Sequence, residues 1–253
     1  MRRGVVVFSH PRSGTHLTLD FLRRNFSCLS PSKPFFAPLD ALYVSLDAVL
    51  IEAGNHDAVK RAVAGLMQHR MPLMKTHWVD PDFTNLRNKS ETLSEWVVER
   101  TAKVYVIRRP DRVISSLFNF EAAFSAMIYS KKGEWLAEKT AYWVRHVREW
   151  SAKSDVLILK FEDMIDDPRS AVATLSQHIG LGSAAADPLL PPRTKTLWRN
   201  RILRLSRRPA STEILSPQRP RPLSELFEPK DVAAFWREVT PVCEMLGYDV
   251  ARR

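Results

Sequence analysis

The stretch Gly4–Leu17 (GVVVFSHPRSGTHL) constrains the fold more than any other part of the chain. Val5, Val6, Val7 and Phe8 form an apolar, β-branched run that stops at His10-Pro11. Gly14 and Thr15 then lead into a helical pattern of Leu17, Leu19, Phe21 and Leu22. The order is strand, tight turn, helix N-terminus. Such a turn aims backbone N–H groups and the positive end of a helix dipole at one spot, which suits an oxyanion. Pro11 fixes the turn, Gly14 takes a φ that other residues resist, and Ser13 and Thr15 add hydroxyl donors. Arg12 adds a permanent charge on a planar fork of donors. The pattern departs from the common nucleotide loop. A Walker A sequence has Lys and Ser/Thr directly after its last Gly, whereas here the basic residue precedes Gly14. A strand-turn-helix of this kind also occurs as plain α/β architecture, so the loop alone leaves both readings open.

The rest of the chain repeats the alternation. Helical patterns are expected over about 40–53 and 56–69, after a Pro-rich loop at Ser30–Pro38. A short strand at Pro72–Lys75 ends at Thr76-His77-Trp78, and a helix follows over about 91–100. Lys103–Ile107 reads as a buried strand giving way to Arg108-Arg109-Pro110. The helix after it carries Val113, Ile114, Leu117 and Phe120 on one face. A long amphipathic helix over about 134–152 precedes the strand Asp155–Leu159, then Phe161-Glu-Asp-Met164 and a helix from Pro168 to Ile179. Strands separated by helices imply right-handed crossovers and a mainly parallel central sheet flanked by helices. Ligands of such sheets bind beyond the strand C-termini. The loop, His77, Arg108 and Phe161 all follow strand ends, so they are expected to converge.

The expectation is one α/β domain over 1–253, with 183–222 as a mobile basic loop within it. That stretch holds Arg199, Arg201, Arg204, Arg207, Arg208, Arg219 and Arg221 among many prolines. A final helix is expected over about 229–246. The net charge of +10 favours anionic partners without saying which. Cys28 and Cys243 give neither a disulfide framework nor metal-ligand spacing. No apolar run approaches the ~20 residues of a membrane span. With Arg2-Arg3 directly before the first strand, no signal peptide is expected. The expected compartment is the cytoplasm, with a peripheral place at a membrane left open.

Four segments together resemble the sulfotransferases that use 3′-phosphoadenosine 5′-phosphosulfate (PAPS), a family with a P-loop-like α/β fold. Pro11-Arg-Ser-Gly-Thr15 resembles the 5′-phosphosulfate loop, which implies donor contacts from Pro11, Arg12, Ser13, Gly14, Thr15, His16 and Leu17. Val106–Ser116 is similar to the 3′-phosphate motif, an Arg before x-Pro and a Ser eight positions later, which implies Arg108 and Ser116. Phe161-Glu-Asp-Met164 is similar to the segment beside the adenine and implies Phe161. Met74-Lys-Thr-His77 matches the segment that carries the catalytic base in the cytosolic branch and implies His77. The order and spacing agree from residue 4 to about 180. Arg12 stands where the cytosolic branch has Lys, and Leu17 where it has a Trp on the adenine. Arg12 is more like the bacterial and carbohydrate-type branches. The C-terminal Arg-Lys-Gly segment and the dimerisation motif of the cytosolic branch are absent, so the oligomeric state stays open.

The resemblance implies transfer of a sulfuryl group from PAPS to an acceptor hydroxyl, with PAP as product. His77 is then the general base, Arg12 stabilises the departing 5′-phosphate, and no metal is required. His10 and His16 flank the loop as competing bases. The long insert before His77 and the basic 183–222 segment favour a glycan or glycolipid acceptor over a small phenol. A P-loop kinase of a small metabolite lacks its Lys-Ser/Thr here. A basic nucleic-acid-binding protein accounts for the charge but not for the ordered motifs, so no nucleic-acid partner is expected.

Overall fold

The computed structural model describes residues 4–29, 43–51, 56–68, 71–79, 82–122, 130–182, 187–188, 190 and 221–250. Strands β1 (Gly4–Ser9), β2 (Val44–Ser45), β3 (Leu73–Thr76), β4 (Thr101–Ile107) and β5 (Val156–Lys160) form one sheet in the order β2-β3-β1-β4-β5. Every pairing is parallel; Val5 lies opposite Leu73 on one side and Ala102 on the other, and Lys103 lies opposite Val156. The strands after β1 build one half of the sheet, and β4 and β5 then build the other. The order therefore reverses at β1, and the crevice at its C-terminal end is where such sheets take ligands.

Both faces of the sheet are covered, which is why β1 and β4 read as nearly continuous apolar runs. Val6, Phe8, Met74, Tyr105 and Ile107 point to one face, and Val5, Val7, Leu73, Val104 and Val106 to the other. The second face is closed by α1 (Thr15–Asn25), α8 (Phe161–Asp166) and α9 (Pro168–Ile179). The first face packs α2 (Asp47–Ile51), α3 (His56–Gln68), α4 (Thr84–Lys89), α5 (Glu91–Arg100), α6 (Pro110–Ala122), α7 (Lys132–Ser151) and α10 (Pro229–Met245). Phe8 and Trp150 stack with ring centroids 3.9 Å apart, which seats α7 directly on β1.

The single-domain α/β expectation agrees with this architecture. One element differs: the helix expected over 40–53 is instead the two-residue strand β2 followed by α2. Val44 and Ser45 bond to Met74 and Lys75 at the sheet edge, so the helix starts only at Asp47. The short α4 was not anticipated. Nearly all of the basic 183–222 loop, with Arg199–Arg219, lies outside the described residues, as does the Pro-rich Ser30–Pro38. No helix among the described residues is long and apolar enough to cross a membrane.

Candidate active site

The turn after β1 is tight: Ser13 N–H donates to His10 O at 3.1 Å, and Ser9 Oγ meets Thr15 Oγ1 at 2.6 Å. Gly14 holds φ 101° and stands as the N-cap of α1 without any side-chain cap. The first helical bond runs from Thr18 N–H to Gly14 O. The N–H groups of Thr15 and Leu17 precede it, at the end of the helix whose backbone donors and dipole suit an anion. Ser13 Oγ is buried and meets no hydrogen-bond partner among the described residues. An orphaned buried hydroxyl beside uncapped N–H groups is what a phosphate-like group would satisfy. The Leu17 side chain packs in the core, so only its backbone is left toward the turn.

Arg12 carries φ 72°, a left-handed backbone that costs a non-glycine residue of order 1–3 kcal/mol and persists where its surroundings hold it. Contacts that hold it include Arg12 Nε donating to Ser116 Oγ at 3.2 Å and Arg108 Nη1 donating to Arg12 O at 3.4 Å. The guanidinium of Arg12 also lies 4.9 Å from the ring centre of the exposed Phe120. Arg108, at the end of β4, stacks 4.6 Å over the Phe161 ring. That ring lies against Gly14 so closely that a Cβ there would stand 2.3 Å from Phe161 Cδ2. Loop, β4 end, α6 and α8 start thus meet at one point. Burial lowers the pKa of Arg108, an effect that Glu162 opposes. Arg109 faces elsewhere; its Nε pairs with Asp111 at 3.1 Å, and its N–H donates to Glu162 at 3.0 Å.

His77 follows β3 on the opposite flank of β1. Its Nδ1 lies 2.9 Å from Ser9 O, and a carbonyl only accepts, so Nδ1 carries the proton and Nε2 keeps its lone pair. The backbone is held just as firmly. His77 N–H donates to Asp47 Oδ1 at 2.7 Å, while its carbonyl accepts from His146 Nε2 at 3.1 Å and Tyr142 OH at 3.3 Å. Asp47 also takes Thr76 Oγ1 at 2.9 Å and Lys75 Nζ at 2.8 Å. Tyr105 OH supports His146 from below at 2.9 Å. Burial lowers the His77 pKa, and the Asp47 carboxylate opposes that shift. The result is a neutral imidazole with one free nitrogen, the form that accepts a proton.

The competing histidines are placed differently. His10 is buried, its Nδ1 donates to Pro11 O at 2.8 Å, and burial pushes its pKa down to about 4. His16 lies in the first turn of α1 beside Tyr43, whose hydroxyl is 3.4 Å from its Nδ1. Asp47, Tyr142 and His146 were not singled out from the sequence. Asp47 carries no motif. The signal for the other two was a Tyr and a His four positions apart on the otherwise apolar Trp143–Val147–Trp150 side of α7. No group of three or more His, Cys, Asp or Glu among the described residues is placed to hold a metal ion.

Residues 2–198 match the family model described as a sulfotransferase domain. No curated protein matches the chain. Solved structures with a similar fold include retinol dehydratase in complex with androsterone and the inactive cofactor PAP, at 16% identity and a TM-score of 0.54, covering 96% of this chain and 81% of that one. Retinol dehydratase with retinol and PAP matches at 15% identity and a TM-score of 0.55, covering 96% and 82%. Mouse sulfotransferase SULT7A1 complexed with PAP matches at 17% identity and a TM-score of 0.52, covering 95% and 84%.

Proposed function

The chain belongs to the sulfotransferase family, and on that premise we propose that it transfers a sulfuryl group from PAPS to a hydroxyl of a glycan or glycolipid. The observation that carries the donor assignment is the tie between two arginines from separate strand ends. Arg12 Nε binds Ser116, and Arg108 Nη1 binds the Arg12 carbonyl. Arg12, Ser13 and the first N–H groups of α1 would hold the 5′ end of the nucleotide, Arg108 and Ser116 its 3′-phosphate, and Phe161 the adenine side. Bound PAPS supplies a sulfuryl group on a phosphate oxygen, a good leaving group. The protein then has to position and to stabilise charge rather than form a covalent intermediate.

His77 Nε2 takes the acceptor's hydroxyl proton as the acceptor oxygen bonds to sulfur. The bond from sulfur to the phosphate oxygen breaks, and Arg12 stabilises the charge left on that phosphate. For the acceptor, the two neighbours of His77 supply the support. Thr76 and the half-exposed Trp78 border a small apolar crevice with Leu46, Leu50, Phe83 and Leu86. An exposed indole suits the face of a sugar, and the crevice suits an apolar portion linked to it. The net charge of +10 adds affinity for acidic glycans.

The test is transfer of labelled sulfate from PAPS to a panel of saccharides, glycolipids and phenols. Label on a saccharide hydroxyl, with PAP released in equal amount, is the expected result. Faster turnover on simple phenols than on every saccharide and glycolipid would overturn the acceptor assignment. No transfer to any acceptor and no PAP binding would overturn the donor assignment as well.

A further inference from the structure

Three consecutive residues at the end of β3 are bonded to one carboxylate. Asp47 Oδ1 accepts from the Thr76 hydroxyl and the His77 N–H, and its Oδ2 pairs with Lys75 Nζ. Asp47 is the first residue of α2, 30 positions before His77. It sits there because β2 ends two residues earlier, hydrogen-bonded beside Lys75 at the sheet edge. The carboxylate is mostly buried, with its side chain 13% exposed, so its charge is poorly screened.

A strand end normally leaves its last N–H groups to solvent, and here a side chain takes that place. The other contacts to His77 come from neutral groups: the Ser9 carbonyl and hydroxyl at the ring, and Tyr142 and His146 at the backbone carbonyl. Among the charges that act on the ring, Lys75 and Arg12 are cations, and Asp47 is the anion opposing them. His10 and His146 also face His77; burial holds both well into their neutral range.

We infer that Asp47 is a positioning residue for sulfuryl transfer: its carboxylate fixes the Lys75–His77 segment and supplies the negative charge that stabilises His77 once it has taken the acceptor's proton. The proton passes from the acceptor hydroxyl to His77 Nε2, and Asp47 itself neither gains nor loses one. The inference rests on the reading of His77 as the base. Without Asp47 the buried imidazole would be left with the cations Lys75 and Arg12 acting on it, and the imidazolium formed in the reaction would lose its counter-charge.

The test follows the His77 ring C–H signals by NMR against pH, identified by their absence in His77→Gln. Asp47→Asn keeps an oxygen that accepts the His77 and Thr76 hydrogen bonds but removes the charge. Its His77 midpoint is expected to fall below that of the wild type, with PAP affinity retained. Turnover of PAPS with water as acceptor should fall, and its acidic limb should move to lower pH with the midpoint. Thr76→Val keeps the charge and should leave the midpoint in place, which a purely structural role of the carboxylate would not distinguish from Asp47→Asn. Should Asp47→Asn prove unfolded, Lys75→Met decides. It removes a cation acting on the same ring, and the midpoint must rise. An unmoved midpoint in folded Asp47→Asn, or in Lys75→Met, overturns the inference. A His77→Gln variant that keeps its turnover and acidic limb overturns instead the reading of His77 as base, and leaves the titration result standing.

Discussion

The two flanks of the β1 crevice are built in opposite ways. On the β4 side, the proposed donor site of the loop Pro11–Leu17, Arg108, Ser116 and Phe161 presents its own functional atoms: an orphaned hydroxyl, the N–H groups at an uncapped helix start and two guanidinium groups joined through Ser116 and the Arg12 carbonyl. On the β3 side the proposed base is a single imidazole, and three further side chains, Asp47, Tyr142 and His146, hold its backbone. An anion is bound by many weak donors at once, so the donor flank spreads its function across residues. A base needs one nitrogen in one place with one tautomer, so the other flank spends its residues on fixing it. Substitutions on the two sides should therefore fail in different ways.

The sharpest break is expected at His77. His77→Gln should lower kcat by at least about 100-fold, the low end of what a positioned base contributes, and leave PAP affinity unchanged. Burial holds the His77 pKa below the ordinary 6.5, so the acidic limb of the wild-type rate profile should lie below that pH and vanish in the variant. Equal loss of PAP binding would erase the distinction between the flanks. Arg12→Ala comes next. Its charge acts on a phosphate that becomes more negative as the reaction proceeds, so the loss should appear mainly in kcat and amount to about 10- to 100-fold. Wild-type turnover in that variant would remove Arg12 from the mechanism.

Gly14→Ala should act through packing on the donor flank alone. The new Cβ meets the Phe161 ring at 2.3 Å, and φ 101° disfavours any side chain. A left-handed non-glycine costs about 1–2 kcal/mol, so Tm should fall by roughly 2–8 °C and PAP affinity should drop with it. Unaltered PAP affinity would mean that the Phe161–Gly14 contact has no part in donor binding. Acid should act through the three buried histidines beside β1. His10, His77 and His146 all have pKa values lowered by burial, so the unfolded chain binds more protons than the folded one once pH falls below about 6.5. Stability should be full above that pH and decline towards pH 4, near the His10 value, and His10→Gln should flatten the slope of Tm over the same window. A Tm independent of pH there would contradict the neutral packing of the three rings.

The same contrast decides what was legible in the sequence. A motif is short when the chain itself makes the turn, and the strand-turn-helix of Gly4–Leu17 carries its own geometry in Pro11, Gly14 and the apolar runs on either side. That Arg108 and Ser116 come to the loop was legible for a related reason: one follows a strand end, the other lies in the helix after it, so spacing along the chain fixes distance in space. Asp47 had no such signal. It reaches His77 only because β2 pairs with β3, and two residues of strand leave no period-2 pattern to read; the local pattern indicated a helix through 40–53 instead. His146 was hidden by its surroundings, since a histidine between Trp143 and Trp150 reads as part of an apolar helix face. Residues placed by their own stretch of chain announce themselves by type and spacing. Residues that hold them in place are chosen by tertiary contact.

The most direct measurement is a calorimetric titration of PAP and of AMP into the wild type, Arg108→Ala and His77→Gln. The wild type should prefer PAP by about 10-fold or more, the worth of a charged hydrogen bond to the 3′-phosphate. Arg108→Ala should bind PAP no better than AMP, and His77→Gln should keep the full preference. Equal affinity of the wild type for the two nucleotides, or a loss of preference in His77→Gln as large as in Arg108→Ala, would contradict a site divided into a donor grip and a separately held base.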